Sequence, residues 1–276
     1  MKVTMASPKN PAEPPGRNGA GSSPPSPADS GETVDFGFRR VPAEQKPGYV
    51  LRHFNAIAGK YDFMNTLLSL GLHHRWKRLA VEALGLSAGQ RVIDVCGGTA
   101  DLALLAFKAT GGRGSVILCD INRAMLDQGR GKIGRAAATE AILPVQGDAE
   151  GLPFGTGVFD AAMVGFGIRN LTRMDRGLAE MHRVLRPGGR LMCLEFSLPV
   201  SGGFRVLYDF YSFVLMPLAG RVLAGNRDAY RHLPESIRRF PPPGRIAALL
   251  EETGFSGVSY RRLTNGIAVI YGGVKR

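Results

Sequence analysis

A chain of 276 residues, 44% hydrophobic and 21% charged, has the composition of a globular protein with one sizeable core, which argues against a disordered or fibrous chain. Its formal net charge of +12 suits a polyanionic partner, nucleic acid or an anionic membrane surface, but basic tracts interleaved with aromatics and zinc-knuckle spacings do not occur, which counts against nucleic acid. The cysteines Cys96, Cys119 and Cys193 each fall within or at the end of an apolar strand-like run, where a free thiol acts as a small hydrophobe. With neither a secretory pattern nor an apolar stretch of spanning length, the expectation is a protein of the reducing cytoplasm, soluble or peripheral on the inner face of the cell membrane.

Residues 1–34 are rich in Pro, Gly and Ser and are expected to form a disordered tail ahead of one domain, 35–276. From Phe36 to Leu84 the pattern is amphipathic and predicts a helical cap, 35–89, stacked on whatever follows. Val92, Ile93 and Val95 then form a short apolar run that stops at Gly97-Gly98 before a helical pattern begins at Asp101: a strand, a tight turn and a helix start. Strands and helices alternate after that, which predicts a mostly parallel sheet with helices on both faces. Ser115–Cys119, Ile142–Val145, Phe159–Val164 and Arg190–Glu195 read as strands, residues 124–139 and 175–185 as helices, and Arg186-Pro187-Gly188-Gly189 as a turn before the fifth strand. An aromatic and arginine-rich stretch, 200–240, breaks the alternation and reads as an inserted helical lid. A helix over 243–253 and strands near 257–263 and 266–274 close the chain as an antiparallel edge pair.

The chemistry lies at the strand ends. In open α/β sheets ligands bind beyond the carboxyl ends of the strands, and Gly97 with Gly98 lets the backbone come close to one. Asp120 ends the second strand, where a carboxylate can hold a ribose, although such an Asp can instead cap the next helix. Asp148 ends the third, placed for an adenine amino group. The G-x-G-x-x-G spacing of a pyrophosphate site is absent, and Asp94 and Asp101 flank the glycines, which suits a cationic, phosphate-free nucleoside such as S-adenosylmethionine.

Several ordered motifs, among them Phe36-Gly37-Phe38, Lys60-Tyr61-Asp62-Phe63-Met64-Asn65, Gly97-Gly98-Thr99, Asp148-Ala149-Glu150-Gly151-Leu152-Pro153-Phe154, Phe166-Gly167-Ile168-Arg169-Asn170 and Tyr230-Arg231-His232-Leu233-Pro234-Glu235-Ser236-Ile237, closely resemble the ubiquinone/menaquinone biosynthesis C-methyltransferase family. The resemblance covers roughly residues 35–276. It implies a Rossmann-like class I S-adenosylmethionine-dependent methyltransferase: a mostly parallel seven-stranded sheet with an antiparallel edge strand, methylating a polyprenylated benzoquinol or naphthoquinol ring carbon. The family's cofactor residues fall on Gly97, Gly98, Thr99, Asp120, Asp148 and Ala149. At the fourth family position, just before Phe166, Gly165 stands where Ser is frequent. Ala100 replaces a third glycine of the turn and is expected to sit in already helical backbone, where Ala is accepted with little loss.

A quinol carbon becomes nucleophilic when a neighbouring hydroxyl ionises, and a phenol-like pKa near 10 calls for help at neutral pH. Arg169, after the fourth strand, is the leading candidate for holding the phenolate, with Asn170 beside it; the alternative for Arg169 is a structural ion pair. Tyr61 and His73 are further candidates from the cap, as hydrogen-bonding groups or a base. Adjacent His73-His74 lacks metal-ligand spacing, so no metal is expected. The aromatics of 200–240 are read as a channel for an isoprenoid tail and its arginines, including Arg227, Arg231, Arg238 and Arg239, as facing anionic headgroups. A homodimer or a quinone-synthesis complex is a further candidate partnership. Rival readings are a methyltransferase acting on oxygen or nitrogen of another small molecule or lipid, and a scaffold that keeps the fold without turnover.

Overall fold

The computed structural model describes residues 31–224 and 227–276. The expected disordered tail therefore lies almost wholly outside the described residues. Its last residues, Thr33 and Val34, already belong to strand β1 (Thr33–Phe36), which pairs antiparallel with β2 (Arg39–Pro42). This hairpin corrects the helical reading of the start of the cap. Gly37 is first in the two-residue loop with φ +63°, the conformation a tight hairpin turn asks of that position. The rest of the cap is helical, as α1 (Lys46–Ile57), α2 (Tyr61–Leu68) and α3 (Leu72–Leu84).

Alternation begins with β3 (Arg91–Val95) and α4 (Asp101–Ala109), then β4 (Ser115–Asp120), α5 (Arg123–Arg135) and β5 (Ile142–Gln146). It continues through β6 (Phe159–Gly165), α6 (Met174–Val184) and β7 (Leu185–Phe196). The insertion is helical: α7 (Gly202–Phe210), a π-type turn, α8 (Met216–Ala219) and α9 (Arg227–Arg239). Helix α10 (Pro243–Glu252), β8 (Phe255–Leu263) and β9 (Ala268–Lys275) end the chain.

The seven-stranded sheet runs β5-β4-β3-β6-β7-β9-β8, with β9 antiparallel to both its neighbours. The antiparallel strand thus lies one place inside the edge, and β8 is the edge itself. Order reverses between β3 and β6, so the crevice beyond their carboxyl ends is the switch point where an open α/β sheet binds ligands.

The period-2 alternation of the strands divides the core. Val92, Leu118, Met163 and Met192 face α3, α4 and α5, while Ile93, Val95, Val164 and Leu191 face α6 and α10. Each such side chain taken fully out of water contributes roughly 1.5–3 kcal/mol. All three cysteines are free thiols, with Cys119 and Cys193 in this core.

The Arg186-Pro187-Gly188-Gly189 segment is not a turn ahead of β7 but a bulge within it. Phe159 pairs with Leu185 and Ala161 with Arg190, so the residues between are looped out of the ladder. Pro187 cannot donate to a ladder, which is why the strand tolerates it only here. Gly188 takes φ +77° with open space around a would-be Cβ. Gly188→Ala is therefore expected to cost about 1 kcal/mol of backbone strain. That lowers the melting temperature by roughly 2–4 °C, read by thermal unfolding; an unchanged midpoint contradicts the bulge.

Candidate functional site

The turn that follows β3 is built around backbone that only special residues accept. Gly97 has no room for a side chain, since a Cβ would lie 2.4 Å from Leu118 Cδ1 and 2.8 Å from Asp94 Cγ. Gly98 takes φ +53°. Cys96 and Ala100 adopt φ +54° and +70°, so Ala100 is left-handed and not helical as expected. The added Cβ there costs about 1–2 kcal/mol. The turn after β6 carries the same kind of strain at Phe166, φ +59°, whose N–H donates to the Leu194 carbonyl at 2.7 Å. These two turns face each other across the switch point: a Cβ on Gly167 would fall 2.5 Å from Cys96 Cβ. Strain of this kind persists where the surrounding structure over-determines it, commonly at binding sites.

A crevice between the two turns is lined by Asp94, Gly97, Gly98, Thr99, Asp120, Asp148, Ala149 and Gly165, so every residue expected to touch a cofactor borders one cavity. Asp120 is not the cap of α5. Its Oδ2 accepts the Gly98 N–H at 2.9 Å and its Oδ1 the Asn122 N–H at 2.8 Å. The cap is Asn122, whose Oδ1 accepts the Met125 N–H at 3.0 Å. The Asn122 amide also donates to Asn55 Oδ1 at 2.9 Å, tying α1 of the cap to the floor of the crevice. Burial pushes the Asp120 carboxyl up, against the pull of those two backbone donors. Asp148 stands at the exposed rim and accepts the Glu150 N–H at 2.9 Å. Gly165 offers no hydroxyl, and a Cβ there would meet Leu102 Cδ1 at 2.5 Å, so in this chain α4 fills the space a serine would need.

The acids flanking the glycines differ in state. Asp101 is already paired, with Lys77 Nζ at 2.6 Å from Oδ2 and Lys132 Nζ at 2.5 Å from Oδ1. Burial alone would raise its carboxyl, but the two lysines hold it well below the usual range. Lys132 also reaches Asp62 of α2 at 2.6 Å, and the Thr99 hydroxyl donates to Asp62 at 2.7 Å. Asp101, expected with Asp94 to suit a cationic nucleoside, is instead a neutralised latch between cap and glycine turn. Asp94 differs. Its Oδ2 accepts the Ala103 N–H at 3.0 Å, while Oδ1 is buried without a partner among the described residues. Burial raises its pKa strongly. A nearby positive charge would oppose that shift and favour the carboxylate, so an orphaned Asp94 oxygen at the edge of a crevice that lacks pyrophosphate spacing fits a cationic nucleoside ligand such as S-adenosylmethionine.

A second cavity of about 460 Å³, mostly apolar, adjoins the first. Tyr61, Lys77, Phe166 and Asn170 border both. The second is walled by α1–α3, by Phe204, Tyr208, Tyr211 and Met216 of the insertion, and by α9. The Tyr211 hydroxyl donates to the Leu68 carbonyl at 2.5 Å, which fastens the insertion to the cap. Arg169 borders this cavity, and it also makes the ion pair weighed as its alternative: Nη1 lies 2.7 Å from Glu195 Oε1 and donates as well to the Phe166 carbonyl. Its guanidinium lies over Phe196, 5.3 Å from the ring centroid, and its Nε is buried without a partner among the described residues. Glu195 is completely buried; burial pushes its carboxyl up and Arg169 opposes the shift.

Tyr61 is the first residue of α2 and packs on Phe54. His73 lines the second cavity with its Nε2 3.1 Å from Thr66 Oγ1. Burial, with Lys77 nearby, lowers His73 to a pKa of about 3, so it is neutral at ordinary pH. Lys77 and Lys132 lie beyond the sequence reading because each comes from a helix whose register alone brings it to the strand ends, whereas Asn122, two residues past the end of β4, gets there as the N-cap of α5. His53 and His232, also bordering the second cavity, lie beyond that reading too. Among the described residues no group of three or more His, Cys, Asp or Glu is placed to hold a metal ion, and no helix is long and apolar enough to cross a membrane.

Comparison with known proteins places this geometry. The model of the ubiE/COQ5 methyltransferase family matches residues 33–275. The ubiquinone/menaquinone biosynthesis C-methyltransferase UbiE of Methylobacterium nodulans is 48% identical over 245 residues, covering 88% of this chain and 97% of that one. Its counterpart from Marinomonas sp. is 43% identical over 247 residues, covering 90% and 98%. Among solved structures, the cyclase SpnF superposes with a TM-score of 0.61 at 15% identity, over 82% of this chain and 94% of that one. An S-adenosylmethionine-dependent methyltransferase of Thermotoga maritima does so with 0.57 at 17%, over 82% and 99%. These two share the fold, and a cyclase on it shows that the fold alone does not set the reaction.

The glycine turn makes a direct test. Gly97→Ala is expected to weaken S-adenosylmethionine binding at least about tenfold, because the Cβ displaces Leu118 or Asp94; each 1.4 kcal/mol of misfit is a factor of ten. Calorimetric titration reads it, and wild-type affinity contradicts the assignment of the crevice.

Proposed function

The chain belongs to the ubiE/COQ5 methyltransferase family, and from that premise we propose that it methylates a ring carbon of a polyprenylated quinol, a benzoquinol or a naphthoquinol of ubiquinone or menaquinone biosynthesis, with S-adenosylmethionine as methyl donor. The observation that carries this reading is the pairing of cavities. A crevice bordered by the carboxyl groups of Asp94, Asp120 and Asp148, suited to a cationic nucleoside, adjoins a larger, mostly apolar one, with Arg169 and Asn170 bordering the apolar side.

When bound, S-adenosylmethionine supplies an electrophilic methyl group on a sulfonium. Asp120 and Asp148 would hold its nucleoside end and Asp94 its positive charge. The protein's larger contribution is alignment: the cap and insertion enclose the quinol ring, and Tyr61, Phe166 and Asn170 border both reactants. Arg169 contributes the second part. Glu195 and the Phe166 carbonyl fix one end of the guanidinium, which leaves its other N–H groups for a ring oxygen. A fixed cation in an apolar pocket favours the phenolate over the phenol, raising charge density at the adjacent ring carbon. Exclusion of water by the apolar lining strengthens that interaction.

The insertion gives the isoprenoid tail a way in. Helix α7 has no buried residue, and Val206, Leu207, Phe210, Leu218 and Val222 are all more than half exposed. A patch of this kind marks an interaction surface. Its exposed apolar residues, with Arg205 and Arg221 between them, suit the headgroup boundary of an anionic bilayer, so the substrate passes from membrane to cavity along the protein. Arginines do less of this than the sequence reading expected: Arg231 pairs with Glu235 at 2.9 Å, and Arg238 pairs with Asp209 and lies over Phe213. Arg227 carries no described side chain.

Incubated with S-adenosylmethionine and short-tailed demethylated quinols, the purified protein is expected to yield the ring-methylated product by mass spectrometry. A protein that binds the cofactor yet methylates neither benzoquinol nor naphthoquinol refutes the proposal and favours the scaffold reading. In vesicle co-sedimentation, the double variant Val206→Asp, Leu218→Asp is expected to lose binding to anionic vesicles while keeping activity on short-tailed quinol. Undiminished sedimentation removes the membrane-facing role.

A further inference from the structure

Methyl transfer to an aromatic carbon leaves a proton to be disposed of. The new carbon–carbon bond forms with a ring electron pair, and the sulfur–methyl bond breaks with its pair left on sulfur. The ring carbon–hydrogen bond then breaks, its pair restores the aromatic ring, and one net proton leaves. On the quinol reading above, on which this inference rests, that proton is released inside a largely apolar cavity. A bare proton does not cross such a lining unaided, because an unpaired charge in an apolar interior costs many kcal/mol.

A third cavity, of about 290 Å³, lies on the other side of a thin wall. It is bordered by the β1–β2 hairpin, by Lys46 and by the end of α9, and it contains Asp35 and Arg40 at its exposed side. Arg169, Asn170, His232 and Ser236 border both this cavity and the quinol cavity, so these four form the wall. Among them only His232 carries a group that can accept a proton on one atom and release one from another.

Its position is fixed. The His232 ring is stacked on Phe36 of β1, with centroids 4.0 Å apart, and touches the His53 ring at 4.9 Å. Nδ1 faces the hairpin loop: a Cβ on Gly37 would lie 3.1 Å from it, so glycine there keeps that edge of the ring clear. Glu235, one turn further along α9, accepts the Phe38 N–H at 3.3 Å and so clamps the hairpin against the helix that carries the imidazole.

We propose that His232 relays the proton released on methylation from the quinol cavity to water in the third cavity, taking it on one ring nitrogen and giving up the proton of the other. Asp35 and water at the outer side are the acceptors. The electrostatics match a relay and not a resting acid. Burial, together with His53, Arg169, Lys46 and Arg39, lowers His232 to a pKa of about 3, and burial with Arg169 lowers His53 to about 4. Both rings are therefore neutral between turnovers. A proton placed on His232 is unstable there and moves on.

The test compares the wild type with His232→Phe, which preserves the stack on Phe36 but has no proton-carrying nitrogen, under saturating S-adenosylmethionine and short-tailed quinol. We expect kcat to fall about 100-fold, the lower end of general acid–base effects. Cofactor affinity by titration and quinol binding without cofactor should stay within about twofold, a change of less than 0.5 kcal/mol. Added imidazole should restore a large part of the lost rate by entering the third cavity, and pyrrole, of the same shape but without an acceptor nitrogen, should not. His232→Gln, which keeps a polar side chain, is read on the same scale should the phenylalanine variant fail to bind cofactor. A variant that turns over like the wild type, or whose lost rate imidazole does not restore beyond pyrrole, overturns the relay. Failure of the wild type to methylate any quinol is a different result: it refutes the quinol reading and takes the relay with it.

Discussion

Everything at this site depends on one buried ion pair. Glu195 lies near the end of β7 and Arg169 in the short 3-10 turn Ile168–Asn170 that follows the neighbouring parallel strand β6, and they meet where the sheet stops and the cavities begin. Taking two charges out of water is expensive, and the attraction repays it only when geometry is good and the remaining polar atoms are satisfied. Glu195 meets that condition: besides the guanidinium it accepts the backbone N–H groups of Phe196 at 2.8 Å and Arg169 at 3.4 Å. Arg169 does not, since its Nε has no partner among the described residues. The carboxylate is thus completed by the protein, whereas the guanidinium keeps one N–H without a partner among the described residues.

Around this pair three spaces are arranged. Asn170 borders all of them: the crevice beside the glycine turn, the apolar cavity and the third one beyond. Fixing Arg169 therefore fixes part of the wall between the second and third cavities. The cap is fastened to the same frame by Lys132 and Thr99 reaching Asp62, and by Asn122 reaching Asn55. The cap that walls the second cavity is thus tied to the border of the crevice through side chains already in contact.

Much of the sheet was legible because its physics is local. Val92-Ile93-Asp94-Val95 alternates between two cores, and the acids at strand ends point past the sheet by topology alone. What escaped depended on contacts between distant segments. Ala100 has a helix former's propensity, yet the path from β3 into α4, packed against α5, forces it left-handed. Pro187-Gly188-Gly189 looks like a turn, and only the register of β6 against β7 reveals a bulge. The hairpin at Thr33–Pro42 has its signal in Gly37 and the flanking Val34, Phe36 and Val41, but the longer amphipathic stretch that follows masks it. Gly165 is explained by Leu102, a residue of another element. The arginine run of the insertion carries no sign in the sequence that Glu235 and Asp209 engage two of its members, Arg231 and Arg238.

The account stands on Arg169 acting on the quinol and not only bracing the strand ends. The direct measurement is single-turnover methyl transfer by Arg169→Ala, with S-adenosylmethionine affinity measured on the same preparation. A transition-state cation of this kind contributes at least about 100-fold. The transfer rate is expected to fall by that much or more while the dissociation constant stays within about threefold, less than 1 kcal/mol. Undiminished transfer, or a loss of rate matched by an equal loss of cofactor affinity, contradicts the account.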